Sequence, residues 1–338
     1  MQSRRSFVKV LAEVGAGVGV GRWGRGPSSA AAARPEGAAR RTLRFAQFSD
    51  THVGVGIPSS EPGFIQALKH VQTLEDPPEL ILMTGDLITD AFWASEAESL
   101  AHWKLFKEII SKHCRVPVRY CIGNHDVHGW GKGDRTSPQS GKAMYREQLG
   151  LERTYYSFDQ AGWHFIVLDD VQAGGWNGFQ HYIDDEQLAW LRDDLRRTQL
   201  NTPVLVASHA PILCVTCFFE DPPKAFASAE GWFVSYDCVH KDAAVLKNLF
   251  KQHPNVKLCL SGHYHQVDDC QYLGVRYICG GAVSGSYWRG PNPPGEFEAG
   301  YGLVDLYDDG SFGYHYVDYG LVGYRDSPDR PRYPWPRK

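Results

Sequence analysis

Eight polar side chains recur along this chain in five small clusters, and their types are those that bind metal ions and move protons. The clusters are Asp50-Thr51-His52, Gly85-Asp86, Gly123-Asn124-His125-Asp126, Ser208-His209 and Gly262-His263-Tyr264-His265. Each follows a short apolar run, so five strand ends can bring them to one place. Three carboxylate or amide oxygens (Asp50, Asp86, Asn124) and four imidazoles (His52, His209, His263, His265) are enough for two metal ions. One imidazole, His125, is left over.

The spacing carries chemical content. Residues two apart in an extended segment point the same way, so Asp50 with His52, and His263 with His265, can each reach one ion. A carboxylate bridges two cations through its two oxygens, which a histidine cannot do, and Gly85 lets the carboxylate of Asp86 approach closely. Asn124 supplies a neutral oxygen and limits the total ligand charge. A nitrogen and oxygen donor set without thiolate suits iron, manganese or zinc. Two such ions roughly 3.5–4 Å apart form a clamp for displacement at phosphorus, activating water and neutralising the phosphoryl oxygens. The remaining need is a group where the leaving oxygen departs, and His125 fits it. A lone strand-end Asp or His is usually a cap; five clusters in this order are not coincidence.

The series D-x-H, G-D, G-N-H-D, H and G-H-x-H is similar to the calcineurin-like metallophosphoesterase superfamily, over about residues 42 to 285. The resemblance implies an α/β fold, a four-layer α/β/β/α sandwich of two mixed sheets flanked by helices, with a dinuclear metal site at the strand ends. It implies that Asp50, His52, Asp86 and His265 hold one metal and that Asp86, Asn124, His209 and His263 hold the other. Hydrolysis then uses a bridging hydroxide, and His125 donates to or stabilises the leaving group. One departure stands out. Many relatives carry an acid three residues after the bridging Asp; here that residue is Thr89, and the acid is Asp90. An orienting role toward His125 does not transfer simply to Asp90. Asp126 is another candidate for it, or a turn cap.

Thr89 and His52 depart from the purple acid phosphatase pattern, and there is no room for the large C-terminal domain of exported 5′-nucleotidases. Gly85-Asp86-Leu87-Ile88-Thr89-Asp90-Ala91 does not match the second motif of serine/threonine protein phosphatases. What remains resembles the compact bacterial class that includes class III cyclic-nucleotide phosphodiesterases. The expected activity is phosphodiester hydrolysis of that type on a small phosphoester. The alternatives are an exported phosphomonoesterase and a metal- or phosphate-binding protein without turnover.

The elements that must position these residues read as alternating strands and amphipathic helices. Strands are expected at Leu43–Phe48, Leu80–Met83, Val116–Ile122, Val204–Ala207 and Val256–Leu260, each running into one cluster. Helices are expected over Phe64–Leu74, from Ser95 with Glu98 as its capping-box partner to His113, from Asp184 to Thr198, and over Asp242–Gln252. Tyr155–Phe158 and His164–Leu168 form a hairpin, and short strands follow Gly262, with a turn at Tyr307–Ser311. The loops after the strand ends, 129–141, 214–239 and 285–295, carry aromatic and basic residues, Trp288 and Arg289 among them, where substrate contacts belong in such sheets.

The bulk composition adds exclusions. A formal charge of −4 over 338 residues offers no nucleic-acid-binding patch. Ser3-Arg4-Arg5-Ser6-Phe7-Val8-Lys9, followed by a weakly apolar stretch, has the pattern of a twin-arginine signal. The chain is therefore expected to use the twin-arginine export machinery and to work in the periplasm or outside the cell. Glu13 and the shortness of the apolar run argue against a transmembrane anchor. The expected organisation is a signal and low-complexity segment over 1–40, a metallophosphoesterase domain over 41–325 and a Pro/Arg-rich tail over 326–338. Of eight cysteines, only Cys214 and Cys217 form a close pair, which reads as a disulfide, a redox pair or half of a zinc site; no second pair completes a four-sulfur site, and a loop disulfide or two free thiols is the favoured reading. His128 reads as a surface turn residue, and His181 and His240 have no ligand-like spacing.

Overall fold

The computed structural model describes residues 39–131, 137–218, 225–228, 231–289 and 297–321. The twin-arginine segment, the tail, and Lys132 and Arg135 of the first loop lie outside the described residues. From Ala39 the chain forms one compact unit.

In chain order its elements are β1 (Arg41–Phe48), α1 (Ser60–Gln72), β2 (Leu80–Thr84), α2 (Glu96–His113), β3 (Val118–Cys121), α3 (Ala143–Leu149), β4 (Tyr156–Gln160), β5 (Trp163–Val167), β6 (Val171–Ala173) and β7 (Phe179–His181). Then come α4 (Asp185–Arg197), β8 (Val204–Ala207), β9 (Ala225–Ser228), β10 (Gly231–Val234), α5 (Ala243–Gln252), β11 (Val256–Ser261), β12 (Val267–Tyr272), β13 (Val275–Gly280), β14 (Gly300–Tyr307) and β15 (Phe312–Asp318). The expected strands and helices are all present, with ends shifted by a few residues. Ser95 caps α2 through its side chain, and Glu98 returns the bond to the Ser95 backbone. Asp184 caps α4 by accepting from the Gln187 N–H.

Two mixed sheets result. One has the order β15-β14-β1-β2-β3, the other β12-β13-β11-β8-β5-β4. In the first, β1 pairs in parallel with β2, and β2 with β3, while β14 and β15 run antiparallel at the edge. In the second, β5, β8, β11 and β13 are parallel, with β4 and β12 antiparallel at the two edges.

The strands are apolar on both faces because both faces are covered. In β1, Leu43 and Phe45 face the opposing sheet while Ala46 and Phe48 join the core under α1 and α2; in β2, Leu80 and Leu82 alternate likewise with Ile81 and Met83. On the second sheet, Leu205 and Leu258 face inward, and Val204, Val206 and Val256 pack beneath α4 and α5 with Leu191, Leu195, Leu246 and Phe250. Three apolar layers thus separate four layers of structure, the α/β/β/α sandwich. This period-two pattern fixes which way each strand end points, and the two sheets offer their carboxyl ends to the same place.

Candidate active site and metal centre

All eight residues singled out above come together. Asp50 and His52 follow β1, Asp86 follows β2, and Asn124 and His125 lie in a short 3₁₀ turn after β3. His209 follows β8, and His263 and His265 follow β11. The first sheet therefore contributes Asp50, His52, Asp86, Asn124 and His125, and the second contributes His209, His263 and His265. All but His125 and His263 are buried.

The backbone is bent to achieve this. Asp50, His52, Asp86, His263 and His265 all adopt left-handed φ values, between 40° and 72°. A single such non-glycine residue is uncommon, and five in one site mark a conformation imposed by the surrounding structure. Two glycines make room. A Cβ on Gly85, itself at φ +95°, would lie 2.4 Å from the His209 ring, and one on Gly262 would lie 1.6 Å from Ser49 Oγ and 2.4 Å from Asp50 Oδ2.

The donor atoms group into two overlapping clusters, Asp50, His52 and His265, and Asp86, His209 and His263, with Asp86 also within reach of His52 and His125. His52 Nε2 lies 3.0 Å from His265 Nε2 and 3.7 Å from Asp86 Oδ2. His265 Nε2 lies 3.3 Å from Asp50 Oδ1. On the other side, His209 Nε2 is 3.3 Å from Asp86 Oδ2, 3.0 Å from Asn124 Oδ1 and 3.2 Å from His263 Nδ1. These nitrogens face the centre of the site because the far side of most rings is engaged. His209 Nδ1 is 2.9 Å from the Thr84 carbonyl, His265 Nδ1 is 2.7 Å from that of Gly285, and His263 Nε2 is 2.8 Å from that of Asp237. A ring N–H donated to a backbone oxygen fixes the tautomer and presents the other nitrogen's lone pair, the arrangement typical of metal-ligating histidines.

The charge balance asks for cations. Burial alone would raise Asp86, but His209 and then His125 hold it well below the ordinary carboxylate range. Burial also opposes ionisation of Asp50, and His265 then His209 bring it below its usual value. Burial pushes His52 well below its ordinary value, toward the neutral, ligating form. Burial opposes charge on His209 as well, yet Asp86 and Asp50 raise it to about 10. That upward pull reflects the negative charge of the buried carboxylates, which bound cations would balance. Converging lone pairs, ionised carboxylates and an imposed backbone all fit a bound pair of metal ions.

His125 differs from its neighbours. Its backbone N–H donates to Asp86 Oδ1, and its Nδ1 lies 2.7 Å from the Thr89 carbonyl. Asp90 does not orient it: Asp90 Oδ1 accepts from the Trp93 N–H. Asp126 does not either. It accepts from the Leu87, Ile88 and Gly123 N–H groups and staples the Asp86 loop to the Asn124 turn.

Other residues about the site were not readable from spacing. Asp170 accepts from the His209 and Ala210 N–H groups at 2.9 Å, and its Oδ2 lies 2.9 Å from His181 Nδ1 and 3.4 Å from His240 Nε2. The His181 ring meets that of His263 edge-on at 4.8 Å. Tyr287 packs over His52 and His265, with ring centroids 4.4 and 4.7 Å away. His128, expected at the surface, is buried, with Nδ1 3.1 Å from Ser99 Oγ. Trp288 is also buried, its indole N–H donating to the His52 carbonyl, so it supports the site rather than contacting a substrate.

Residues 43–267 match the calcineurin-like phosphoesterase family, and the chain belongs to it. It is a metal-dependent phosphoester hydrolase with a dinuclear site. It is 26% identical over 243 residues to a 3′,5′-cyclic-nucleotide phosphodiesterase of Nostoc sp., covering 70% of this chain and 76% of that one. It is 25% identical over 247 residues to the 3′,5′-cyclic adenosine monophosphate phosphodiesterase CpdA of Escherichia coli K12, covering 70% and 74%. In fold it is similar to a dimetal phosphatase from Danio rerio, with a TM-score of 0.56 and 16% identity, over 83% of this chain and all of that one. Among the described residues no helix is long and apolar enough to cross a membrane.

Proposed function

We propose that this enzyme is a phosphodiesterase for small diesters of the cyclic-nucleotide type, exported by the twin-arginine route. Asp50, His52, Asp86 and His265 would hold one metal ion, and Asp86, Asn124, His209 and His263 the other, with iron, manganese or zinc suited to the donor set. Bound metals supply Lewis acidity toward the phosphoryl oxygens and an activated water at neutral pH.

The observation that carries the reading is His125. Its Nδ1 is tied to the Thr89 carbonyl, so Nε2 is left to hold a proton. Its ring meets that of His52 edge-on at 4.8 Å, beside the shared Asp86. A diester's leaving group is an alkoxide, which departs slowly unless it is protonated, and a positioned imidazole provides that proton. The diester preference is supported by the names of the two relatives, both cyclic-nucleotide phosphodiesterases, each spanned over about three quarters of its length.

Export is supported by Ser3-Arg4-Arg5-Ser6-Phe7-Val8-Lys9. The test has two arms. Enzyme reconstituted with manganese, iron or zinc is assayed on 3′,5′-cyclic AMP, a linear diester and the matching monoester. Faster turnover of the monoester sinks the diester assignment. Fractionation of cells expressing the chain with Arg4→Lys and Arg5→Lys together should show cytoplasmic retention; unchanged periplasmic yield would remove the export proposal alone.

A further inference from the structure

The sequence left the Cys214 and Cys217 pair open between a disulfide, a redox pair and half of a zinc site; the fold surrounds that pair with two more cysteines. Cys214, Cys217, Cys238 and Cys279 form a single buried cluster with Tyr264, although they come from the loop after β8, the loop before α5 and strand β13. Cys217 sits in a 3₁₀ turn, Thr216–Phe218, and its Sγ donates to the Cys214 carbonyl at 3.7 Å. The Cys214 and Cys217 side chains also hydrogen-bond to one another. The turn is held from below by Asp268, whose Oδ2 accepts from the Val215 and Thr216 N–H groups at 2.6 and 2.8 Å. Leu213, Val215 and Phe218 of the same segment are exposed.

Four buried cysteines invite a thiolate-bound zinc ion, but the surroundings oppose it. Among the described residues no three cysteine sulfurs gather within 4.8 Å of one another. A four-thiolate zinc site carries two net negative charges, and here it would sit against Asp268, which already accepts from the Cys270 thiol. Burial, Asp50 and Asp268 all push the Cys279 thiol up. The hydrogen bond with Cys217, then burial, raises the Cys214 thiol well above its ordinary range. The cluster thus favours states without charge, and a dithiol and a disulfide are both neutral.

We propose that Cys214 and Cys217 are a redox couple that closes to a disulfide by exchange with an external disulfide, such as oxidised glutathione. One thiol gives up its proton as its sulfur attacks the external disulfide and releases one external thiol; the second thiol does the same at the mixed disulfide and releases the other. The pair loses two electrons and two protons, and the external disulfide gains them. A loop this short gains little stability from closure. Its effect is local. Cys238, in the same cluster, directly follows Asp237, whose carbonyl holds His263 Nε2. Closing the pair therefore repacks the support of a site histidine.

The metal-loaded enzyme is equilibrated across glutathione redox buffers, quenched in acid, unfolded, alkylated and mapped by peptide mass spectrometry. The peptide spanning 214–217 should pass in one transition from two adducts to none, lighter by the two hydrogens lost, while Cys121 and Cys259 keep their adducts throughout. Phosphoester turnover followed in the same samples should change with the same midpoint, and Cys217→Ser should abolish both transitions. Two adducts at every redox ratio, a disulfide to Cys238 or Cys279 instead, or an extra zinc equivalent that Cys214→Ser removes would each overturn the proposal.

Discussion

The Nδ1 of His125 lies 2.7 Å from the carbonyl oxygen of Thr89, while the nearest acid in sequence, Asp90, turns away to accept from the Trp93 N–H. A main-chain oxygen thus fixes this ring in place of a side-chain carboxylate. A carbonyl orients the ring as well as an acid does, but it lends no negative charge to a protonated imidazole. It also cannot be lost by a side-chain substitution.

Asp90→Ala should therefore leave kcat within a few-fold of the parent. His125→Ala should lower it by about 10²–10⁴ for substrates whose leaving group is an alkoxide. With a p-nitrophenolate leaving group, which needs no proton, the loss should be far smaller. Steady-state rates on the two substrate types check this; an equal loss on both would remove the leaving-group role.

Asp86 belongs to the group with His209 and His263 and also lies within reach of His52 of the other group. Asp86→Asn should deplete both metal equivalents, whereas Asn124→Ala should weaken mainly one. Elemental analysis after dialysis against a mild chelator distinguishes the two. Loss of the same number of ions from both variants would contradict the shared-carboxylate geometry.

Gly262→Ala places a methyl group inside contact distance of Ser49 Oγ and the Asp50 carboxylate, and 2.8 Å from Ser49 Cβ, which no side-chain rotation moves away. Overpacking of this kind costs about 1–3 kcal/mol or more. A fall in Tm of several degrees is expected, with weaker metal retention, measured by calorimetry on the loaded protein.

Far from the site, His164 joins Asp159 through Nδ1 at 2.6 Å and Asp194 through Nε2 at 2.8 Å. Burial opposes its charge, yet Asp194 and then Asp159 hold it above its ordinary value. A raised native value means that folding takes up a proton. Its stabilisation is complete below the unfolded value of about 6.5 and fades as pH rises through the native value. Urea midpoints should drop across that window in the parent and flatten in His164→Gln. Parallel slopes for both proteins would show that this pair does not couple to folding.

Most of this arrangement was legible because it is written locally. Strand ends announce themselves as apolar runs stopping at Asp, His or Asn, and Ser95 with Glu98 marks a helix start within four residues. The eight site residues were found on that basis. What escaped is what depends on distance along the chain. Asp170 meets His209 across 39 residues, and His263 meets the Asp237 carbonyl across 26, through a backbone atom that no residue type announces. Cys238 and Cys279 likewise sit far from Cys214 in sequence and look like ordinary buried thiols. His128 and Trp288 were misplaced toward the surface because loop residues usually lie there; both are folded under the site instead.

The ligand set is divided between the two sheets, and that division reaches beyond catalysis. Asp50, His52, Asp86 and Asn124 stand at the rim of one sheet; His209, His263 and His265 stand at the rim of the other. Nothing covalent joins the rims there, and the ionised carboxylates crowded between them repel one another. A bound pair of cations would join the two rims beyond the hydrogen bonds from the His263 N–H to Asp50 and between His209 and the Thr84 carbonyl, so metal loading is expected to tighten the sandwich there. In a metal-poor medium the enzyme should fail first by gaping along this edge, and proteases would find it open before substrates ceased to bind.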